Sequence, residues 1–174
     1  IEWPYADSVW NKLPIKIYKI EDENNEINKK IIKAIDNLGY LSKEEQKLDL
    51  RISKKNILNR LECTIGYVFQ NFYFILFYYK NIASYVLIDL HENYEFDVFN
   101  VIIRDLFTFP PYRKKGYVGK ILSVICTHYN KELKDLLFSE PISLKLKNLL
   151  KKLGLTQVKL INGRDLRTIR LEDI

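Results

Sequence analysis

The sequence predicts an α+β fold built on one mixed sheet, and three observations carry that expectation. Two long runs rich in β-branched and aromatic residues, FYFILFYY (72–79) and IASYVLIDL (82–90), are separated by the polar pair Lys80-Asn81 and read as a hairpin of central strands. A third run, VFNVIIRDLFTF (98–109), ends on Pro110-Pro111. Apolar stripes at helical spacing flank this block of strands on both sides, which is the order of an α+β chain.

In chain order, PIKIYKI (14–20) alternates as a strand does, and EDENNEINKK behind it is a solvated segment able to start a helix. Ile27, Ile31, Ile32, Ile35 and Leu38 recur at helical spacing, with Gly39 as the stop. A second stripe, Ile57, Leu58, Leu61, Ile65, Val68 and Phe69, predicts a helix from 54 to 69, interrupted by Gly66. After the hairpin, HENYEFD (91–97) reads as a polar, acidic connection into the third strand. FPPYRKKGYVGKIL (109–122) is a basic turn with two glycines. It leads into a helix whose apolar face is Val118, Ile121, Leu122, Ile125, Cys126 and Tyr129. LLF (136–138) is a short strand, and SEPISLKLKNLLKKLGL (139–155) holds a last amphipathic helix stopped at Gly154. TQVKLI (156–161) has the composition of a further strand, whereas GRDLRTIRLEDI (163–174) carries no pattern that assigns it.

At 174 residues, 47% apolar and 13% aromatic, the chain can bury one substantial core, so a single domain over 1–174 is expected, with 1–50 as an N-terminal accessory segment. It opens on Ile and has no Met, which reads as a piece of something longer. No apolar run reaches the roughly 18 residues of a membrane span. Cys63 and Cys126 have no close Cys or His partner, so neither a disulfide framework nor a metal site is expected. An intracellular setting, cytoplasmic or nuclear, fits. A net charge of +6 favours polyanionic partners, a phosphorylated cofactor among them. The basic residues are spread out and no nucleic-acid motif appears, so direct nucleic-acid binding is not expected.

Amides at a strand-to-helix turn point into one concavity at the positive end of the helix dipole, where phosphate oxygens bind well. The turn here is not an NTPase loop, because Lys114 takes the first glycine position and Ile121 replaces the magnesium-binding hydroxyl. Nor are Gly116 and Gly119 spaced as a dinucleotide fingerprint. What matches is Arg-x-x-Gly, from Arg113 to Gly116, after a long strand and opening a helix.

These residues resemble the Gcn5-related N-acetyltransferases, whose pyrophosphate turn is Gln/Arg-x-x-Gly-x-Gly/Ala. Here Val118 stands at the last position and Gly119 follows one residue late. LFTFPPYRKKGYVGKILSVICTHYN with the later SEPISLKLKNLL is similar to the core of type B histone acetyltransferases, and the likeness extends over about 15–153. The resemblance implies a mostly antiparallel mixed sheet with flanking helices and a splayed strand pair that holds acetyl-CoA, the acyl donor. It implies that Phe107, Thr108 and Phe109 bond the pantetheine arm through their backbone. Arg113, Lys114, Lys115, Gly116, Tyr117, Val118 and Gly119 would cradle the pyrophosphate, with Lys120 also near the phosphates. The implied activity is acetyl transfer to a lysine amine in a protein, a basic histone tail, with a histone-chaperone type of partner. The alternatives are another amine substrate, or a non-catalytic member that binds acyl-CoA or a protein.

A lysine amine, with a pKa of about 10.4, must lose a proton before it attacks a thioester, so a base is needed. Glu140 is the candidate. Alignment on Pro141 puts Ser139 where the family has its first carboxylate, and the second family carboxylate falls near Gln70. Asp105, Glu92 and Glu95 are the other acids near the expected cleft. His91 and His128 are isolated, and Cys126, Tyr129 and the tyrosines of the strands read as packing residues.

Overall fold

A computed structural model describes residues 14–20, 26–36, 70–93, 98–162 and 165–174. The alternation in IKIYKI becomes strand β1 (Ile15–Ile20), and Ile27 and Ile31, one turn apart, form the buried stripe of helix α1 (Glu26–Asp36). The helix expected over 54–69 lies outside the described residues. The aromatic hairpin is β2 (Gln70–Tyr78) and β3 (Asn81–Asn93), turning at Tyr79-Lys80. β3 runs further than its apolar pattern suggests, because His91, Glu92 and Asn93 pair with Asn100, Phe99 and Val98 of β4 (Val98–Thr108). Ladder bonds use main-chain groups alone, so polar side chains did not end the strand.

Past the prolines come α2 (Tyr117–His128), β5 (Leu137–Ser139), α3 (Leu144–Lys152), β6 (Gln157–Asn162) and β7 (Asp165–Arg170). The segment 163–174, which the sequence left unassigned, thus carries β7 and a short 3₁₀ turn, Leu171–Asp173. All strands join one seven-stranded sheet in the order β1 to β7. Pairing is antiparallel except for β4–β5 and β5–β6, which are parallel. Parallel neighbours need crossovers, and α2 and α3 are those crossovers. The outer strands carry exposed cations, Lys16 and Lys19 on β1 and Arg167 and Arg170 on β7.

Successive side chains on a strand face opposite ways, and the sheet accordingly has two apolar sides. On one, Phe74, Val86, Ile88 and Ile103 lie under Ile121, Leu122 and Ile125 of α2 and Leu146 and Leu150 of α3. Crossovers of one hand stepping the same way along the sheet place their helices on one side, as both are here. On the other, Tyr73, Ile75, Tyr85, Leu87, Phe107 and Phe109 meet Ile20, Ile27 and Ile31. Each fully buried Ile or Leu contributes about 1.5–3 kcal/mol.

Both crossover helices stop in the same way. Asn130 (φ 51°) follows α2 in the left-handed region, with Lys131 N–H donating to the Cys126 carbonyl at 2.9 Å. Gly154 (φ 94°) follows α3, with Leu155 N–H donating to the Leu150 carbonyl at 3.0 Å. These six-to-one bonds satisfy carbonyls that would otherwise be orphaned. At its start, α3 is capped by Ser143 Oγ, which accepts from Leu146 N–H at 3.1 Å.

Candidate functional site

The strands β1–β4 form one part of the sheet and β5–β7 another, and the two parts meet along two register pairs, Ile102 with Leu137 and Ile103 with Phe138. Beyond Phe138, β5 stays with β6: Ser139 pairs with Ile161, and the Glu140 amide donates to the Ile161 carbonyl at 3.0 Å. β4 stays with β3: Thr108 pairs with Ser84, and the Phe109 amide donates to the Ala83 carbonyl at 2.9 Å. The strands therefore part after Ile103 and leave a wedge whose β4 wall is residues 104–108.

A bulge sits where the wedge begins. Leu87 pairs with Asp105 and Ile88 with Ile103, so Arg104 is one residue too many for the ladder. Past the bulge, the Phe109 bond to Ala83 sets the alternation. Phe107 and Phe109 direct their main-chain groups to β3, and Leu106 and Thr108 direct theirs to the wedge. The Phe107 carbonyl accepts from Ser84 Oγ at 2.9 Å. Of the three residues expected to offer backbone to the wedge, Thr108 faces it while Phe107 and Phe109 face the neighbouring strand. Two of the wedge-facing groups have internal partners: Asp105 Oδ1 accepts from Leu106 N–H at 3.0 Å, and the Thr108 carbonyl accepts from Arg113 Nε at 3.0 Å.

The turn after β4 is shaped by its prolines, which open a 3₁₀ turn in which Tyr112 N–H donates to the Phe109 carbonyl and Arg113 N–H to the Pro110 carbonyl. Arg113 doubles back, with its guanidinium 5.4 Å from the Phe107 ring centroid. Its amide and side chain are thus engaged with the end of β4 rather than with the cradle. Lys114 (φ 63°) and Gly116 (φ 74°) are both left-handed, and alternation of that kind curls consecutive N–H groups toward one point. Among the described residues, the amides of Lys114, Lys115, Gly116, Val118 and Gly119 donate to no acceptor, and the first helical bond is Lys120 N–H to the Gly116 carbonyl at 3.1 Å. Tyr117 is buried beneath the helix start, Lys114 and Lys115 are exposed, and partial burial draws the Lys120 ammonium below its usual range. The result is a concave set of amides, flanked by lysines, at a helix N-terminus and at the open end of the wedge. It suits a phosphate.

Glu140 leaves β5 at the wedge's other wall with little exposure. Its Oε1 accepts from Arg167 of β7, from Nε at 2.7 Å and Nη2 at 2.5 Å. The expected base is therefore held by a cation of its own chain. Asp105 is buried with the Tyr85 hydroxyl 3.5 Å from Oδ2, Glu95 lies outside the described residues, and Tyr129 and His128 pack against Phe74.

The sequence reading missed a pair at the point where the strands part. Asp89 of β3 is fully buried and binds Arg104 Nε, while Arg104 Nη1 reaches Ser139 Oγ on β5 at 3.5 Å. Burial raises the Asp89 carboxyl, and the Arg104 hydrogen bond and charge oppose that shift. The available signal was Asp89 itself, the single charged residue in the apolar run IASYVLIDL. No group of metal-ligating side chains and no helix long and apolar enough to cross a membrane occurs among the described residues.

No protein-family model and no curated protein matches this chain. Solved structures do. The ribosomal-protein-alanine N-acetyltransferase of Brucella melitensis biovar Abortus 2308 superimposes with a TM-score of 0.51 at 9% identity, over 90% of this chain and 99% of that one. The aminoglycoside N-acetyltransferase AAC(6')-Iy, solved with CoA, gives 0.50 at 11% identity, over 88% and 95%. An integron cassette protein from the mobile metagenome of V. cholerae gives 0.50 at 14%, over 87% and 89%. The chain has the Gcn5-related N-acetyltransferase fold. Within that fold, β4 and β5 of this chain part after Ile103 and open onto the turn of unpaired amides before α2.

Proposed function

We propose that this protein transfers the acetyl group of acetyl-CoA to an amine on a small molecule or on a non-histone protein. The observation that carries the reading is the wedge between β4 and β5, opening onto a turn whose amides at Lys114, Lys115, Gly116, Val118 and Gly119 have no internal acceptor. Those amides would hold the diphosphate, with Lys114 and Lys115 as point charges beside it. Leu106 and Thr108 would meet the amide-bearing arm along the wedge once Asp105 and Arg113 release them. When bound, acetyl-CoA supplies an acyl group activated as a thioester. The similarity in shape to the aminoglycoside and ribosomal-protein-alanine N-acetyltransferases supports an amine acceptor of that breadth. A lysine in a histone tail is the narrower reading, supported by the Ser139-Glu140-Pro141 segment. The net charge of +6 and the Arg167 guanidinium on Glu140 weigh against a basic tail.

Calorimetric titration with CoA, followed by thiol release from acetyl-CoA in the presence of spermine, an aminoglycoside or a histone H4 tail peptide, tests the reading. Binding of CoA with turnover of spermine or the aminoglycoside is expected. Binding without turnover of any amine would leave a non-catalytic acyl-CoA binder, and no heat with CoA would end the proposal. If Glu140 takes the amine proton after parting from Arg167, Glu140→Gln loses most of the rate while CoA binds as before. An unchanged rate would place the base elsewhere, with Asp105 next in line.

A further inference from the structure

We infer that Arg104 is a catalytic residue whose guanidinium, set where β4 and β5 part, binds the carbonyl oxygen of the acyl group, and that Asp89 positions it. This rests on the acetyl-transfer reading above and adds to it a residue and a role.

The placement follows from the wedge. With the diphosphate at the turn beyond β4, the arm runs back along the strand from Thr108 toward Arg104, roughly 13 Å at the rise of an extended chain. The acyl end then arrives at the closed end of the wedge. Arg104 is the bulge residue there, and its side chain lies across the closed end from Asp89 on β3 to Ser139 on β5.

The nearest wedge-facing main-chain donor, Leu106 N–H, is held by Asp105 Oδ1 at 3.0 Å until the arm displaces that carboxylate, and it is a single donor. A guanidinium offers five N–H donors in a planar fork, and the Arg104 side chain is 26% exposed while that of Asp89 is 0% exposed. Asp89 takes the Nε side, which turns the Nη edge across the wedge.

Stability does not account for this pair. A buried ion pair is a weak source of stability, and apolar side chains of similar volume commonly do as well or better. Asp89 is more costly than most, because its Oδ1 is buried without a hydrogen-bond partner. An arrangement of that cost at the reacting end of a wedge is explained by the work of its exposed member.

As the amine nitrogen bonds to the carbonyl carbon, the carbonyl π pair moves onto oxygen, where the Arg104 N–H groups meet the growing charge. That pair returns as the C–S bond breaks, sulfur leaves with the bonding electrons, and the proton shed by nitrogen reaches sulfur by way of solvent. The products are an amide and a free thiol.

The test reads the carbonyl directly and needs no acceptor. Difference infrared spectra of acetyl-CoA labelled with ¹³C at the carbonyl should show its stretch at lower wavenumber when bound to the wild-type protein than in solution. In Arg104→Met the stretch should return to the free value while CoA still binds within about threefold by calorimetry, with Arg104→Lys keeping part of the shift. Asp89→Asn should lose part of the shift by freeing the guanidinium, an effect that loss of fold alone does not produce. Because Arg104→Met leaves Asp89 buried alone, the paired variant Asp89→Leu/Arg104→Met is the control. It should fold and bind CoA, and it should show no shift. With any amine that turns over, kcat should fall about 100-fold in Arg104→Met at an unchanged KM for the donor. A bound but unshifted carbonyl in the wild type, or a shift kept in the paired variant, overturns the role of Arg104 and leaves acetyl transfer standing. Absence of CoA binding by the wild type overturns both.

Discussion

Gly116 holds a φ of 74° at the residue before α2, where a side chain would crowd its own carbonyl. Gly116→Val should therefore cost about 1–2 kcal/mol, seen as a lower midpoint in thermal melts, and should weaken CoA binding at least tenfold by turning the neighbouring amides away. Cys126 makes a prediction in pH. Burial pushes its thiol from an ordinary value near 9 up to about 11. A folded-state value above the unfolded one means that the native chain holds the proton more tightly. This contribution is whole below about pH 9 and is lost as pH rises through about 11. Stability should thus decline over that window, and peptide mapping should find Cys126 unalkylated in the native protein until the same range. Tyr129, pushed up to about 12 by burial, extends the decline in the same direction. Gly116 was legible in the sequence because its requirement is local, a turn between a proline brake and a helix. Arg104 and Asp89 were not, since their meeting depends on a bulge that shifts the register of β4 by one residue, and nothing in VFNVIIRDLFTF marks that shift.

Helix α3 is defined by its ends as much as by its buried face. A Cβ added at Gly154 would meet nothing within 4 Å, so Gly154→Ala should cost only the backbone term for a left-handed residue, about 1 kcal/mol. Ser143→Ala removes the cap on Leu146 N–H and should cost about 1 kcal/mol as well. The two sites share no partner, so denaturant melts of the double variant should show the sum. The Gly154 end was read in SEPISLKLKNLLKKLGL, because a C-cap glycine is a short-range signal, whereas the Ser143 cap was not singled out. β7 could not be read, since in DLRTIR only Ile169 is partly buried and an exposed strand shows no alternation. The end of β3 escaped for a related reason, as His91, Glu92 and Asn93 are held by the ladder to β4 rather than by an apolar face. Glu140 was expected as the base, and its ion pair with Arg167 joins two elements that only the sheet order brings together.

The sheet as a whole is two sheets in part, a four-stranded antiparallel half and a three-stranded half, joined at Ile102–Leu137 and Ile103–Phe138 and tied above by α2. A ligand bridging both walls would close that joint. Hydrogen exchange followed by mass spectrometry should then show CoA slowing the amides of Lys114–Gly119 and of Leu106 and Thr108. Peptides from β1 should be unchanged, and protection confined to the turn would mean that the wedge stays empty. The mixed sheet and the strand-turn-helix unit were legible because long apolar runs and a glycine turn specify them; the seam between the halves was expected only through the family resemblance, as a splayed strand pair, because it is set by how few residues LFS offers for pairing. The lysines and arginines on the outer strands have a further effect. An uncovered sheet rim invites another chain to add itself, and that addition can repeat without limit; with Lys16 and Lys19 at one rim and Arg167 and Arg170 at the other, rims brought together set like charge against like, which discourages polymerisation.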